Sequence, residues 1–204
     1  MDLRTPKMAE SLKTYSNPKS SKFRELLRFL IEYPFFFKTK YSGEKVLDLG
    51  CGWGFYFKIN PKAYGIDIDN NCIKYLKKLN YKVIKGDITK NLPFKDNFFK
   101  WVISHDALEH FELKDIRKIF LGVQRVLEKN GNFLILNPNR KGYNYGCKNN
   151  VGHKHFVTFQ DILTIAKDNF IVIKHFFYPF PRLIGNYFTQ NKEVIILKKH
   201  TIEI

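Results

Sequence analysis

The sequence predicts one α/β domain, and three observations support this fold class. Short apolar strand candidates alternate with helix candidates from about residue 45 to residue 137. Because strand, helix, strand units join parallel strands by right-handed crossovers, this order indicates a mostly parallel sheet with helices on both faces. Two further strand candidates joined by a hairpin-like connection end the chain and make the sheet mixed. A length of 204 residues with 44% hydrophobic content suits one compact domain.

The strand candidates are short apolar runs that end at turn residues or at helix candidates. They lie at residues 45–49, 63–68, 81–85, 99–104, 131–136, 170–175 and 194–198. The helix candidates lie at residues 53–58, 71–79, 106–111, 113–129 and 158–169. We therefore expect a three-layer sandwich with a mostly parallel seven-stranded sheet and an antiparallel closing strand.

The N-terminal segment, residues 1–40, is expected to stand apart from a main domain at residues 41–204. Residues 1–22 are polar and predict a loosely ordered arm. Apolar residues then recur at helical spacing from Phe23 to Ile31, which predicts an amphipathic helix ending near Pro34. We expect this segment to form a lid over the substrate site.

The charge balance is strongly basic, with 35 Lys and Arg against 19 Asp and Glu and a net charge of +16. Such a charge attracts polyanions, including nucleic acid and anionic membrane faces. Most of the basic residues are lysines placed singly or in pairs, whereas nucleic-acid readers more often cluster arginines with aromatic residues. A solvated basic surface is therefore favoured over a dedicated nucleic-acid face.

Cysteine usage and hydropathy indicate the compartment. The three cysteines are far apart and form no C-x-x-C pair, which argues against a disulfide framework and a zinc site. The apolar runs are too short to cross a bilayer, and the first 22 residues lack the apolar core of a secretion signal. We expect a cytoplasmic protein with no membrane span.

The strongest local signal is V-L-D-L-G-C-G-W-G at residues 46–54. A buried strand that runs into glycines lets the backbone approach a ligand closely and presents free N–H groups to it. Asp67 ends the second strand candidate, where a carboxylate can accept hydrogen bonds from two ribose hydroxyls. Phe55 replaces the third glycine of a dinucleotide-binding turn, and no Gly-Lys-Ser/Thr follows to make a P-loop. A different nucleotide-like ligand is predicted.

Five stretches, taken in order, resemble the class I S-adenosylmethionine-dependent methyltransferases, especially the branch with a core like that of the ubiquinone-biosynthesis enzymes. They lie at residues 48–54, 65–69, 86–88, 101–110 and 127–133. The resemblance covers residues from about 45 to 137 well and the remainder in outline. It implies a Rossmann-like fold, methyltransferase activity and S-adenosyl-L-methionine as the cofactor, with an inert Rossmann-like domain as the alternative.

The resemblance also implies a set of cofactor-binding residues. Asp48 and the backbone of Gly50, Gly52 and Gly54 would hold the methionine moiety, and Asp67 would hold the ribose.

The adenine ring would be held further along the chain. Asp87 would accept a hydrogen bond from its amino group, and Ile68 and Ile88 would sandwich it. Because Gly-Asp is also common turn chemistry, Asp87 has a structural alternative. His105, at the end of the fourth strand, is a further candidate contact to the cofactor.

Methyl transfer from a sulfonium is an in-line displacement, so the protein must align the nucleophile and take up the proton of a hydroxyl acceptor. His153 and His110 are the leading candidates for this role, with His105, Asp106 and His155 as further candidate bases. His153 lies after the fifth strand, where related enzymes close over the acceptor; a capping role is the alternative.

A metal site at residues 106–110 is an alternative. If a helix begins at Asp106, then Asp106, Glu109 and His110 share one face and can hold an ion. This spacing resembles the Glu-x-x-Glu-His of metal-dependent O-methyltransferases. A role in hydrogen bonding without metal is favoured.

The leading acceptor class is a small-molecule, lipid-linked or glycan hydroxyl, bound near the aromatic segments at residues 33–37 and 176–181, which could equally be core. RNA is the second acceptor class because of the net charge. A non-catalytic S-adenosylmethionine-binding protein is the third reading. The sequence carries no signal for an oligomeric state.

Overall fold

A seven-stranded sheet forms the centre of the computed structural model, which describes residues 33–36, 39, 45–138, 156–178 and 192–200. The strands are β1 (Val46–Leu49), β2 (Tyr64–Asp67), β3 (Lys82–Lys85), β4 (Phe99–His105), β5 (Leu127–Pro138), β6 (Phe170–Tyr178) and β7 (Lys192–Lys199). Their order across the sheet is β3-β2-β1-β4-β5-β7-β6. Strands β1 to β5 pair in parallel, whereas β7 is antiparallel to both β5 and β6. The predicted fold class is confirmed.

Three α-helices connect the strands in the described part of the chain: α1 (Asn70–Lys78), α2 (Leu113–Val126) and α3 (Phe159–Ala166). The Asp69 side chain caps α1 by accepting a hydrogen bond from the Asn71 N–H at 2.7 Å. Thr158 and Asp161 form a reciprocal capping box at the start of α3. None of the helices in these ranges has the length and apolar character needed to cross a bilayer.

The two faces of the sheet carry separate apolar layers. On β1, Leu47 and Leu49 point toward the layer that contains α2 and α3, whereas Val46 points toward the layer that contains α1. This alternation follows from the two-residue period of a strand. Fully burying each such side chain stabilises the fold by about 1.5–3 kcal/mol.

Two of the predicted helices are only single turns of 3-10 helix. The segment predicted at residues 53–58 is helical only at Tyr56–Lys58, because Gly52 and Gly54 have positive φ and break the helical backbone. The segment predicted at 106–111 is helical only at Leu108–His110, because Asp106 lies in the left-handed region with φ of 51°.

The helix predicted at 113–129 ends at Val126. Leu127 already pairs with Phe99 in β4, so β5 begins earlier than expected and the competing strand pairing ends the helix.

Residues 33–36 and Thr39 are helical, so the prediction that helical structure ends near Pro34 is wrong. Tertiary contacts hold this segment on the domain: the Phe36 ring is fully buried, and the Tyr56 hydroxyl donates to Thr39 Oγ1 at 2.7 Å. The predicted arm at residues 1–22 and most of the predicted lid lie outside the described residues.

Candidate functional site

The glycine turn after β1 does not present the free glycine N–H groups that the sequence predicted, because the Gly50, Gly52 and Gly54 N–H groups donate within the protein, to Ile66 O, Asp67 Oδ2 and Cys51 O. Gly50, Gly52 and Gly54 have φ of 67°, 47° and 85°, in the region that glycine adopts most readily. A Cβ added at Gly54 would clash with Leu76 Cδ2 of α1, whereas one added at Gly52 would meet nothing within 4 Å. Gly54 is therefore required for packing, and Gly52 borders open space where a ligand can approach the backbone.

Asp67 is fixed beside this turn at the end of β2. Its Oδ2 accepts a hydrogen bond from the Gly52 N–H at 2.8 Å, and its Oδ1 accepts one from the Asp69 N–H at 2.8 Å. Burial raises the pKa of this carboxyl, and the two backbone hydrogen bonds partly offset the rise. Because each carboxylate oxygen has two lone pairs, both oxygens keep the capacity to accept from a ribose hydroxyl.

Asp48 is a buried carboxyl on β1 close to the same turn. Within the described residues, its side chain makes no hydrogen bond or ion pair. Burial raises its pKa well above the ordinary value, and the nearby charge of Asp67 raises it further. A cationic ligand would relieve this cost. S-adenosylmethionine carries an ammonium and a sulfonium, whereas a dinucleotide brings an anionic pyrophosphate, so these residues fit S-adenosylmethionine.

The residues predicted to bind adenine have mixed surroundings. Ile68 is exposed directly after β2, as a ring-contacting residue requires. The Asp87 Oδ1 accepts from the backbone N–H and the hydroxyl of Thr89, which is the turn role that the sequence also allowed. Ile88 is buried in the core. The adenine contacts of all three remain predictions.

An exposed aromatic pair that the sequence did not single out lies near the glycine turn. The rings of Trp53 and Tyr75 are 5.5 Å apart at an interplanar angle of 63°, and the residues are 36% and 46% exposed. Residue 53 belongs to the turn and residue 75 to α1.

A second polar cluster lies at the ends of β4 and β7. Lys192 Nζ donates to Asp106 Oδ2 at 2.7 Å and contacts His105 Nε2 at 2.9 Å. The three side chains are only 5%, 10% and 6% exposed. Because β7 is antiparallel, its first residue pairs with Pro138 and lies at the same edge of the sheet as the carboxyl ends of β4 and β5. Sequence reasoning missed Lys192, which belongs to no motif.

This contact fixes the protonation pattern of His105. A lysine ammonium only donates, so Nε2 of the ring is the acceptor and the neutral ring carries its proton on Nδ1. The ring also contacts Phe36 and Phe55 at centroid distances of 5.4 and 5.2 Å. His105 therefore has its Nε2 atom engaged by Lys192. Its predicted contact with the cofactor remains a prediction.

The metal alternative rested on an α-helix beginning at Asp106, and that premise is wrong. The residue has left-handed backbone and its carboxylate pairs with Lys192. In the described ranges, no three His, Cys, Asp or Glu side chains are placed to share an ion. His110 is half-buried at the end of the short 3-10 helix, and its catalytic role remains a prediction. His153 and His155 lie outside the described residues.

Comparisons with known proteins agree with the cofactor chemistry of the glycine turn. A family model described as "Methyltransferase domain" matches residues 47–135. A tRNA (carboxymethyluridine(34)-5-O)-methyltransferase of Arabidopsis thaliana is 29% identical over 124 residues, covering 60% of this chain and 29% of the relative. One of the same name from Saccharomyces cerevisiae is 30% identical over 127 residues, covering 57% and 45%. The chain thus spans less than half the length of these curated relatives.

A solved structure gives the fold comparison. The chain superposes on a SAM-dependent methyltransferase from Archaeoglobus fulgidus with a TM-score of 0.68 and 20% identity, covering 92% of this chain and 98% of that one. At this identity the likeness shows the fold alone. The narrower resemblance to ubiquinone-biosynthesis enzymes remains a prediction. The family match shows that residues 47–135 are similar to a methyltransferase domain, and the fold of the chain is that of S-adenosylmethionine-dependent methyltransferases.

Proposed function

We propose that this protein transfers a methyl group from S-adenosyl-L-methionine to an RNA acceptor. The observation that carries the proposal is the naming of two relatives, 29% and 30% identical, as tRNA methyltransferases. The net charge of +16 supports a polyanionic partner. The sequence favoured a small-molecule, lipid-linked or glycan hydroxyl and ranked RNA second. We now place RNA first because of the tRNA methyltransferase relatives.

The cofactor end of the reaction depends on residues of β1, β2 and the glycine turn. S-adenosylmethionine, when bound, supplies an electrophilic methyl group on a sulfonium. Asp48 would balance a positive charge of this ligand, and Asp67 would accept from its ribose. The open backbone at Gly52 leaves room for close approach. Holding the ligand in one orientation is the main contribution that an in-line displacement requires from a protein.

The acceptor end is supported by the cluster of His105, Asp106 and Lys192 at the same edge of the sheet. Lys192 contacts both the imidazole ring and the Asp106 carboxylate, and so holds the two side chains together at this edge. Since Nε2 is engaged, proton removal at that atom would first require the lysine contact to break. We therefore keep His110 and His153, rather than His105, as the candidate bases.

The test is transfer of a labelled methyl group from S-adenosylmethionine to three separate substrate pools: total tRNA, lipid extract and small-molecule extract. The names of the relatives make tRNA with carboxymethyluridine at position 34 the first purified acceptor to try. We expect label in the tRNA fraction that ribonuclease converts to nucleotides. Label confined to the lipid or small-molecule pool would restore the acceptor that the sequence favoured. Cofactor binding without transfer to any pool would favour a non-catalytic binding protein.

A further inference from the structure

One edge of the domain has basic residues without acidic ones. Residues 70–86 include five lysines and no Asp or Glu. These are the exposed residues Lys74, Lys77, Lys78, Lys82 and Lys85. Among the described residues none of the five forms an ion pair, and Lys82 makes one side-chain contact, with Nζ 5.0 Å from the centroid of the Tyr64 ring. The positive charge of this edge is therefore left for a ligand or for solvent.

Helix α1 places three of these lysines on one face. Its buried residues are Cys72, Ile73 and Leu76, so Lys74, Lys77 and Lys78 lie at i, i+3 and i+4 on the opposite side. Like charges at this spacing destabilise a helix. Helix α1 keeps them although, among the described residues, none of the three forms an ion pair, which stability alone does not explain.

Helix α2 offers an internal comparison, because it carries Lys114, Arg117 and Lys118 at the same spacing. There Lys114 pairs with Glu112 and Lys118 pairs with Asp115, each at 2.8 Å. The basic face of α2 is thus compensated by its own acids, whereas that of α1 is not.

The lysines of α1 lie beside aromatic rings that can stack on bases. Tyr75 occupies the same helix and contacts Trp53 of the glycine turn. Exposed aromatic side chains next to a basic groove are the usual means of holding single-stranded nucleic acid. Helix α1 also begins directly after Asp67 and its neighbour Ile68, so this surface borders the cofactor-binding turn.

We propose that the α1–β3 surface, made of the five lysines with Trp53 and Tyr75, binds the phosphate backbone and bases of the RNA acceptor. This inference rests on the proposed function, because it takes RNA as the substrate. The lysines neutralise phosphates and release counterions, and the aromatic pair stacks on an unpaired base. Phosphate contacts of this kind fix the position of the RNA on the protein and leave sequence choice to the methyl-acceptor pocket.

The experiment compares two triple variants of the full chain. Lys74→Gln/Lys77→Gln/Lys78→Gln removes the α1 face, and Lys114→Gln/Arg117→Gln/Lys118→Gln removes three charges at the same spacing from α2. Binding of fluorescently labelled tRNA is measured by anisotropy across a salt series. We expect the α1 variant to bind at least about tenfold more weakly and its plot of log K against log salt to lose about 2–3 units of slope. The α2 variant should stay within about twofold of the wild type.

Further readouts separate the possible failures. Cofactor affinity, measured by calorimetry, should be the same in both variants. If tRNA is methylated but the two variants bind it equally, the surface is wrong and the proposed function stands. If the wild type neither binds nor methylates RNA, both fail. If the α1 variant loses only binding to anionic phospholipid vesicles, the surface is a membrane face and the inference is overturned.

Trp53 gives an independent signal for stacking. The chain has two tryptophans, and Trp101 is buried, so the quenchable fluorescence comes from Trp53. We expect a short single-stranded RNA to quench this fluorescence. The Tyr75→Leu variant should bind the same RNA about tenfold more weakly. Unchanged fluorescence at saturating RNA would remove the aromatic pair from the proposal.

Discussion

The glycine turn and the cluster at the β4 and β7 ends hold their charges in opposite ways. At the glycine turn, the Asp48 carboxyl is buried without a cationic partner in the described residues, and Asp67 adds a second negative charge. At the other cluster, Lys192 compensates Asp106 directly at 2.7 Å. The charge of the turn would therefore be balanced by a positively charged ligand, whereas Lys192 balances the charge of Asp106 within the protein. The difference favours ligand binding at the first site and a positioning role at the second.

The two regions also differ in how far apart their residues lie in the chain. The glycine turn and Asp67 fall within residues 46–67, whereas Asp106 and Lys192 are separated by 86 positions. Backbone N–H groups arrange the first site, and buried side chains arrange the second. Each of the following changes breaks or sharpens this contrast.

Removing the cation from the cluster should have the largest effect. Lys192→Met leaves the Asp106 carboxylate buried without its partner, and we expect a loss of about 3–5 kcal/mol in the free energy of unfolding. The double variant Lys192→Met/Asp106→Asn should recover most of this loss, because Asn tolerates left-handed backbone and carries no charge. Urea unfolding measures both. Additive losses in the double variant would show that the two side chains are not coupled.

Removing Asp67, the predicted ribose acceptor, should abolish most cofactor affinity while leaving the cluster of His105, Asp106 and Lys192 intact. Asp67→Ala eliminates a carboxylate that could accept two hydroxyl donors, each worth about 1.5–3 kcal/mol, so we expect affinity for S-adenosylmethionine to fall at least about 100-fold. Asp96→Ala is the control, since Asp96 is exposed and pairs with Arg125. Calorimetry should detect the loss only in the first variant. Equal affinities would place the ribose elsewhere.

Substitutions of Gly52 and Gly54 should have different effects on stability and on cofactor binding. Gly54→Ala should lower the free energy of unfolding by about 2 kcal/mol, because the Cβ would clash with Leu76 in a strained backbone. Gly52→Ala should lower the free energy of unfolding by only about 1 kcal/mol, from backbone strain alone. Relative to this loss of stability, it should weaken cofactor binding more than Gly54→Ala does. The opposite ranking of stabilities would contradict the assignment of Gly52 to the ligand side.

The uncompensated carboxyl should give the smallest effect, visible in the pH dependence of stability. Because the pKa of Asp48 is raised in the folded state, the folded protein binds more protons than the unfolded chain above the ordinary Asp range. Stability should therefore fall as the pH rises from that range through the folded-state pKa. Asp48→Asn should lack this part of the fall and be more stable than the wild type at neutral pH. Parallel pH profiles of wild type and variant would count against the raised pKa.

The sequence predicted the sheet and the position of the glycine turn because both are encoded locally. Strands show as apolar runs, and the glycines at 50, 52 and 54 specify positive φ in a way that few other residues allow. The same positive φ values explain the error at residues 53–58, where the sequence predicts an α-helix and the structure has a single turn of 3-10 helix. The positive φ of Asp106 explains the corresponding error at residues 106–111.

Lys192 and the aromatic pair could not be predicted in the same way. Lys192 reaches the site only because β7 runs antiparallel, which places its first residue beside the last residues of β4 and β5. Trp53 and Tyr75 meet because α1 packs beside the glycine turn. Such contacts depend on tertiary topology, and no spacing along the chain encodes them.

The most direct test of the central contrast is calorimetric titration with S-adenosylmethionine at mildly acidic pH in two buffers of different ionisation enthalpy. A cation bound beside Asp48 and Asp67 lowers their raised pKa values, so binding should release protons. We expect micromolar binding with proton release in the wild type, and a smaller release in Asp48→Asn. Absence of binding, or equal binding enthalpies in the two buffers, which means that no protons are released, would contradict a site completed by a positively charged ligand.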